Sequence, residues 1–212
     1  MKEACRWRLA LGILMLAIVA GPSFAQANTG TLKCVGIYSE TAAGQIGYRV
    51  GTGNWVVIKV GDVIPADAQI QVNVTQDWIE LTPSDNPNAV YKISGSSEGD
   101  TIQNVSDIQK SPPRMVSFPQ PSGGTPDPKF ANKLVVTQYS SRQVYRQPGQ
   151  PGKDIEYGDV LEANATVSII AINTTITLMK ADGTTINVVG PLTFSVQKAL
   201  AGEQLYKFLN AP

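Results

Sequence analysis

Gly61-Asp62-Val63-Ile64 recurs as Gly158-Asp159-Val160-Leu161, and this repeat organises the 212-residue chain. The two copies lie 97 positions apart, and at the same offset Tyr48-Arg49 matches Tyr145-Arg146. No gap is needed from position 48 to position 82. Self-similarity at a fixed offset indicates one supersecondary unit that is used twice. We therefore predict two homologous modules.

The residues around both copies have the pattern of β-strands. In Ala68–Val74 the apolar side chains alternate strictly with polar ones, and Val, Ile and Thr are abundant throughout. The predicted fold is all-β, with two tandem β-sandwich-like modules and a short C-terminal helix. The predicted boundaries are residues 1–25 for a signal peptide, 26–110 for module 1, 111–132 for a linker and 133–212 for module 2.

The predicted strands are bounded by Gly, Pro, Asn and Asp residues, which are typical of turns. In module 1 they are Leu32–Tyr38, Gln45–Val50, Trp55–Val60, Ala68–Val74, Trp78–Leu81, Ala89–Ser94 and an edge strand Thr101–Ile108. In module 2 they are Leu134–Tyr139, Gln143–Arg146, Thr166–Ile172, Thr174–Lys180, Thr185–Val189 and Leu192–Val196. Asp182-Gly183 is a short hairpin signal, because Asp-Gly supplies the positive φ values of a tight turn.

Two segments depart from this pattern. Ser111–Asn132 contains six prolines and a Gly-Gly pair, which predicts an extended, semi-stiff linker; its Met115–Phe118 stretch is a candidate for packing on a module. Residues 197–209 lack β-type alternation, and apolar side chains recur there at helical spacing. We predict a short helix that caps an open end of the sheet, with a partner-binding helix as the alternative.

The N-terminus has the pattern of a cleaved secretory signal. Three basic residues precede the apolar run Leu9–Ala20, and small residues at Ser23 and Ala25 predict cleavage after Ala25. Twelve helical residues span about 18 Å, which is too short for a bilayer core of roughly 30 Å. We expect an exported protein, periplasmic or secreted, that does not span the membrane after cleavage.

Charge and side-chain chemistry narrow the function classes. Cleavage would leave 14 basic and 16 acidic residues, so nothing favours nucleic acid as a partner. The chain has no histidine, which removes Ser-His-Asp catalysis and the usual zinc ligand sets. We predict a non-enzymatic protein without a cofactor or metal site. A carboxylate-based hydrolase remains a minor alternative, because no pair of acids stands out.

Cys34 is the single cysteine of the chain after cleavage, since Cys5 leaves with the signal. An intramolecular disulfide is therefore impossible. Two interpretations remain open: Cys34 is a small buried hydrophobic residue in its strand, or it forms an intermolecular disulfide in an oxidising compartment.

The repeated residues have a structural and a functional interpretation. Gly61, Asp62, Gly158 and Asp159 are predicted turn residues, because Gly adopts positive φ and Asp binds backbone N–H groups. A calcium site is the alternative, although the chain has no Asp-x-Asp-x-Asp run.

The repeated Tyr-Arg pairs are the candidate binding surface. Tyr48, Arg49, Tyr145 and Arg146 either place Tyr inward and Arg outward, or form an exposed platform for sugar or peptide. Trp55 and Trp78 are predicted core residues, since a lone Trp in a strand usually packs inside.

The second copy resembles the FecR-like periplasmic β domain. Residues 144–196 contain a Gly-Asp after a hydrophobic strand, then alternating strands, an Asp-Gly turn and a closing Gly-Pro. The first copy is more divergent, because Pro83-Ser84-Asp85-Asn86 replaces the Asp-Gly hairpin. The resemblance implies an all-β fold in a periplasmic or surface-facing protein.

In the best-known FecR-like proteins, the domain senses a loaded outer-membrane transporter and signals to a sigma factor through a cytoplasmic N-terminal segment. Here about eight residues precede the apolar run. The resemblance therefore implies only an exported sensing or scaffolding role. We expect an envelope protein as partner, bound by strand addition, and a carbohydrate or cell-wall glycan as the alternative ligand.

Overall fold

A computed structural model describes residues 30–39, 46–73 and 75–202 and confirms the all-β fold. Module 1 contains β1 (Leu32–Tyr38), β2 (Ile46–Val50), β3 (Val56–Val57), β4 (Val63–Ile64), β5 (Ala68–Val72), β6 (Trp78–Pro83), β7 (Ala89–Ser94), β8 (Thr101–Asn104) and helix α1 (Val105–Ile108). Strand β9 (Arg114–Met115) and a 3-10 turn (Pro128–Phe130) follow in the linker. Module 2 contains β10 (Lys133–Ser140), β11 (Gln143–Arg146), β12 (Lys153–Asp154), β13 (Val160–Glu162), β14 (Thr166–Ile169), β15 (Thr175–Met179), β16 (Thr185–Val189), β17 (Leu192–Ser195) and helix α2 (Val196–Leu200).

The two modules share one sheet. Its order is β16-β15-β10-β1-β6-β7-β9, with β4 also paired to β1 and β13 to β10. Strands β1 and β10 meet in parallel, through Gly36 opposite Tyr139 and Ile37 opposite Ser140. On one side, each first strand pairs with a short strand of its own module in its first half and with the other module in its second half. On its other side it pairs with a strand of its own module, β6 for β1 and β15 for β10.

Each module adds a four-stranded sheet of its own. The orders are β3-β2-β5-β8 in module 1 and β12-β11-β14-β17 in module 2. Alternating apolar residues of each small sheet face the shared sheet, as Ala68, Ile70 and Val72 of β5 do. The module 1 core and the module 2 core are therefore two sandwich interiors built on one continuous sheet.

The module 2 core also takes residues from module 1. Val35, Tyr38 and Val90 belong to this core, and Trp78 packs against it. These side chains lie on the face of the shared sheet that points away from the module 1 core. The two sequence copies are thus packed against each other by apolar contacts as well as by the β1–β10 pairing.

Several predicted strands are shorter than expected, and the difference is largest for the predicted strands Trp55–Val60 and Thr101–Ile108. In place of Trp55–Val60, only Val56–Val57 pairs with β2, because the chain then leaves the small sheet for the Gly61 turn beside β1. Thr101–Ile108 forms a strand only to Asn104, and helix α1 follows. Val105 and Ile108 are both buried, and a spacing of three residues places both on one helix face.

The linker and the C-terminal helix are partly as predicted. Strand β9 pairs with β7 at the end of the shared sheet, and Val116 and Phe118 pack against the module 2 core. Helix α2 covers only Val196–Leu200 and contacts β10 and β17. The predicted signal peptide and the remainder of the predicted C-terminal helix from position 203 lie outside the described residues.

Candidate functional site

The repeated Gly-Asp pairs form the same turn in both modules. Gly61 has φ +98° and Gly158 has φ +79°, values that favour glycine. An Asp62 carboxylate oxygen accepts the Lys59 N–H at 2.8 Å, and Asp159 accepts the Glu156 N–H at 2.9 Å. Each aspartate therefore closes its own turn through the backbone.

The same turns hold the first strand of each module. The Gly61 N–H donates to the Cys34 carbonyl and the Cys34 N–H to the Asp62 carbonyl, both at 2.8 Å. In module 2 the Gly158 N–H donates to the Val136 carbonyl at 2.8 Å. No group of three potential metal ligands exists among residues 30–39, 46–73 and 75–202. The geometry of the repeat is that of a structural corner.

The predicted Asp182-Gly183 turn has a similar arrangement. Gly183 has φ +83°, and an Asp182 carboxylate oxygen accepts the Thr184 N–H at 2.9 Å and its hydroxyl at 2.6 Å. The hydrogen bonds from Thr184 lower the pKa of the Asp182 carboxyl. This turn joins β15 to β16.

The four Tyr-Arg residues do not form one surface. The Tyr145 ring is buried in the module 2 core, and Tyr48 packs against the module 1 core. Arg49 and Arg146 point to the opposite, outer faces of the two small sheets, as alternation requires. Arg49 donates to Gln69 at 3.0 Å and lies 4.6 Å from the centre of the Trp55 ring, whereas Arg146 is exposed.

The two tryptophans have different surroundings. Trp78 stacks on Tyr38 with ring centres 3.5 Å apart, and its indole N–H donates to the Tyr139 hydroxyl at 2.9 Å. Trp55 is 36% exposed on the outer face of its sheet, so the predicted core position is wrong for Trp55.

Cys34 lies in the module 1 core and is completely inaccessible to solvent. Burial, together with the nearby charge of Asp62, raises the pKa of its thiol. This placement fits the buried-hydrophobe interpretation, since an intermolecular disulfide requires the sulfur to be accessible.

A buried carboxylate lies where module 1, the linker and module 2 meet. One Glu80 oxygen accepts a hydrogen bond from the Arg114 guanidinium at 2.7 Å. The other accepts the Tyr139 hydroxyl at 2.8 Å and the Tyr157 N–H at 2.7 Å. We call Glu80, Arg114, Tyr139 and Tyr157 the junction network; each part of the chain contributes to it.

The junction network perturbs the acidity of its members. Burial raises the pKa of Glu80, and the hydrogen bonds from Tyr157, Tyr139 and Arg114 offset part of that effect. Burial and the charge of Glu80 raise the pKa of Tyr157 to about 12. Glu80 is inaccessible to solvent and accepts hydrogen bonds on both carboxylate oxygens. Because the donors belong to the linker and to module 2, the network joins the modules.

A cleft of about 340 Å³ opens beside the junction network. Its charged wall consists of Lys92, Arg114 and Glu156. Lys92 binds Glu156 at 2.6 Å, and Arg114 is bonded to Glu80. Because these charges are already neutralised by neighbours, the cleft has no free charge with which to fix a ligand.

Strand β16 is an open edge of the shared sheet. Its inner neighbour is β15, and no other described strand pairs with it. Lys180 donates to the Thr184 carbonyl and Gly190 to the Thr174 carbonyl, so even-numbered residues bond to β15. The backbone groups of Thr185, Asn187 and Val189 consequently point away from the sheet.

The sequence of this edge lacks the usual protection. Thr185–Val189 (TINVV) has no charge and no proline, and its pairing with β15 has no register shift. In native proteins, charged residues, prolines or β-bulges generally protect an edge strand from pairing with another chain. The alternation of Thr185–Val189 predicts this strand with the correct bounds. It does not predict an edge, because edge position depends on how the sheet is assembled.

Comparison of the chain with protein-family models, curated proteins and solved structures finds no match. The FecR-like resemblance therefore stays a prediction. Among the described helices, none has the length and apolar character needed to cross a membrane.

Proposed function

We propose that this protein is an exported, non-enzymatic envelope protein that binds an extended segment of a partner protein by adding it to the edge of β16. The observation that carries the proposal is the five-residue, uncharged, regular edge at Thr185–Val189. Strand addition gives affinity through main-chain hydrogen bonds. Such an edge suits a sensing or scaffolding role of the FecR-like kind.

The other strands at sheet edges are less suited to this role. Strands β3, β9 and β12 have two residues each, and β9 directly follows Pro112-Pro113. Strands β8 and β17 have four residues each. Strand β16 therefore offers the longest ladder to an incoming segment.

The environment of β16 defines the chemistry of the partner segment. Ile186 and Val188 point toward the module 2 core, and Thr185, Asn187 and Val189 point outward. A strand beside them places alternate side chains next to the rim of that core. The partner segment should thus alternate apolar with polar residues and carry little charge.

Replacement of Asn187 by proline tests this mechanism. Because the Asn187 N–H points outward, Asn187→Pro removes a donor for the partner and no backbone hydrogen bond to β15. With a photo-reactive amino acid at Val189 in producing cells, we expect one main crosslinked envelope protein, reduced at least tenfold by Asn187→Pro. Mass spectrometry should also show that the mature chain begins at Gln26.

Asn187→Ala is the matched control. It removes the same side-chain bond from the Thr177 hydroxyl (2.8 Å) but keeps the backbone N–H, so the crosslink should persist. Equal crosslinking in the Pro and Ala variants would contradict strand addition. Retention of Met1 in the envelope protein would contradict export.

A further inference from the structure

The outer face of the β3-β2-β5-β8 sheet carries an aromatic and polar cluster that strand addition does not use. It consists of Arg49 on β2, Trp55 just before β3, Gln69 and Gln71 on β5, and Asn104 at the end of β8. We call these residues the Trp55 face. Gln69 is paired with both Arg49 and Asn104, and Gln71 is two residues from Gln69, so these side chains share one side of the sheet. The Trp55 ring lies on that side beneath the Arg49 guanidinium.

Arg49 is held in place while part of its hydrogen-bonding capacity stays unused. Its Nε donates to Gln69 at 3.0 Å, and its guanidinium carbon lies 4.6 Å from the centre of the Trp55 ring. Within the part of the chain that the structure describes, its two terminal nitrogens have no hydrogen-bond or ion-pair partner. A fixed guanidinium fork with open terminal N–H groups matches a carboxylate in bidentate geometry.

A chain of hydrogen bonds orders the rest of the face. Gln69 donates to the Asn104 side chain at 3.2 Å, and Asn104 donates to Asp107 at 2.8 Å. Gln71 donates to Asp100 at 2.7 Å. Arg49 thus lies at the β2 side of the face, while the Asp100 and Asp107 carboxylates lie at the β8 side.

The second copy shows that the fold does not require this cluster. At the repeat offset, Gly152 stands in the place of Trp55, and Val144 in the place of Gly47 beside it. Arg146, the counterpart of Arg49, is exposed, and no aromatic ring among the described residues lies beneath its guanidinium. Module 2 forms the same sheet without an aromatic residue at this point, so packing alone does not account for an exposed Trp55.

We propose that the Trp55 face binds an acidic saccharide, with the carboxylate of the sugar on Arg49. Trp55 and Gln69 hold the guanidinium in place for this carboxylate, and the amides of the face exchange hydrogen bonds with the sugar hydroxyls. Charge complementarity favours an anionic sugar at the β2 side of the face, because Arg49 has no acidic partner in the described part of the chain, whereas the Asp107 carboxylate at the β8 side is paired with Lys110 at 2.7 Å.

Titration of the full-length mature protein with trigalacturonate and with N-acetylmuramic acid tests the proposal. The indole N–H resonance of Trp55 reports binding, and the methyl ester of trigalacturonate is the uncharged counterpart. We expect the acid to bind at least tenfold more tightly than the ester. Arg49→Gln should weaken binding of the acid by a similar factor, since a hydrogen bond to a charged group is lost.

Arg146→Gln removes the equivalent cation of module 2 and should leave binding unchanged. Absence of binding by both acids, or equal affinity of wild type and Arg49→Gln, would overturn the proposal. A glutamate-rich peptide that binds this face more tightly than both sugars would also overturn it. Unchanged circular dichroism of Arg49→Gln shows that a loss of binding is not a loss of fold.

Discussion

Glu80 lies on β6 between two core residues, on the face that points away from the module 1 core. In an antiparallel sheet with one face in water, the position of Glu80 is on the solvent face. An acidic residue between Ile79 and Leu81 is therefore compatible with ordinary alternation of buried and exposed residues. The structure places Glu80 at 0% exposure, beneath Arg114, Tyr139 and Tyr157. A charge at the centre of the molecule is stabilised only because three donors from later parts of the chain converge on it.

The raised pKa of Glu80 has a consequence for stability. Burial holds the pKa above its ordinary value of 4.5, so in that range the folded state binds a proton more tightly than the unfolded state. Stability then falls as the pH rises from 4.5 through the folded pKa. We expect the free energy of unfolding of wild type, relative to Glu80→Gln, to decrease over this interval.

Urea unfolding at a series of pH values measures this difference. The comparison with Glu80→Gln removes contributions from carboxylates that both proteins share. A wild type that gains stability relative to Glu80→Gln as the pH rises from 4.5 would show that the hydrogen bonds, and not burial, dominate the pKa of Glu80.

At the scale of elements, the two Gly-Asp turns are equivalent in backbone but not in surroundings. A methyl group on Gly61 meets no atom within 4 Å, whereas one on Gly158 lies 2.5 Å from a Val116 methyl carbon of the linker. Both glycines have positive φ. The linker therefore packs against only one of the two repeated corners.

Alanine substitution at the two glycines should separate the cost of a positive φ from the cost of the overlap with Val116. Gly61→Ala should lower the free energy of unfolding by about 1–2 kcal/mol through the positive φ. Gly158→Ala should cost about 1–3 kcal/mol more, because the new methyl group overlaps Val116. Urea unfolding measures both values.

Val116→Ala provides the control for this comparison. Combined with Gly158→Ala, it should recover much of the additional cost, whereas it should not relieve Gly61→Ala. Equal destabilisation by the two glycine substitutions would contradict the packing of the linker on the second corner.

Most individual strands could be predicted from the sequence, because each depends on local alternation and on turn residues. Leu32–Tyr38, Ala89–Ser94, Gln143–Arg146 and Thr185–Val189 agree with the structure at both ends. Strand β3 and helix α1 were mispredicted because their limits depend on other elements. Strand β3 ends where the chain crosses to the shared sheet, and α1 begins directly after Asn104, the last β8 residue that pairs with β5.

At the scale of the whole molecule, the sequence repeat predicts two modules but not how they associate. The β1–β10 pairing involves strands about a hundred positions apart, and alternation does not specify which strands become neighbours. Gly36 illustrates the point, because a side chain there would overlap the Tyr139 ring of the other module. The junction network arises from this assembly, because its hydrogen bonds join module 1, the linker and module 2.

We expect the two modules to unfold as one cooperative unit, because they are joined by the shared sheet, the junction network and the packed linker. Apolar residues of module 1 lie in the module 2 core, and Glu80 is bonded to both the linker and module 2. Opening one module therefore exposes part of the other, and the two cannot unfold independently without loss of these contacts.

Native-state hydrogen exchange tests this claim most directly, at Ile79 and Leu81 of β6 and at their repeat counterparts Ile176 and Leu178 of β15. We expect one common free energy of opening for the four amides. Glu80→Ala should lower it by about 3–5 kcal/mol in both modules alike, because a buried charge network loses its centre. Two separate opening energies in wild type, or a loss of protection confined to module 1 in Glu80→Ala, would contradict it.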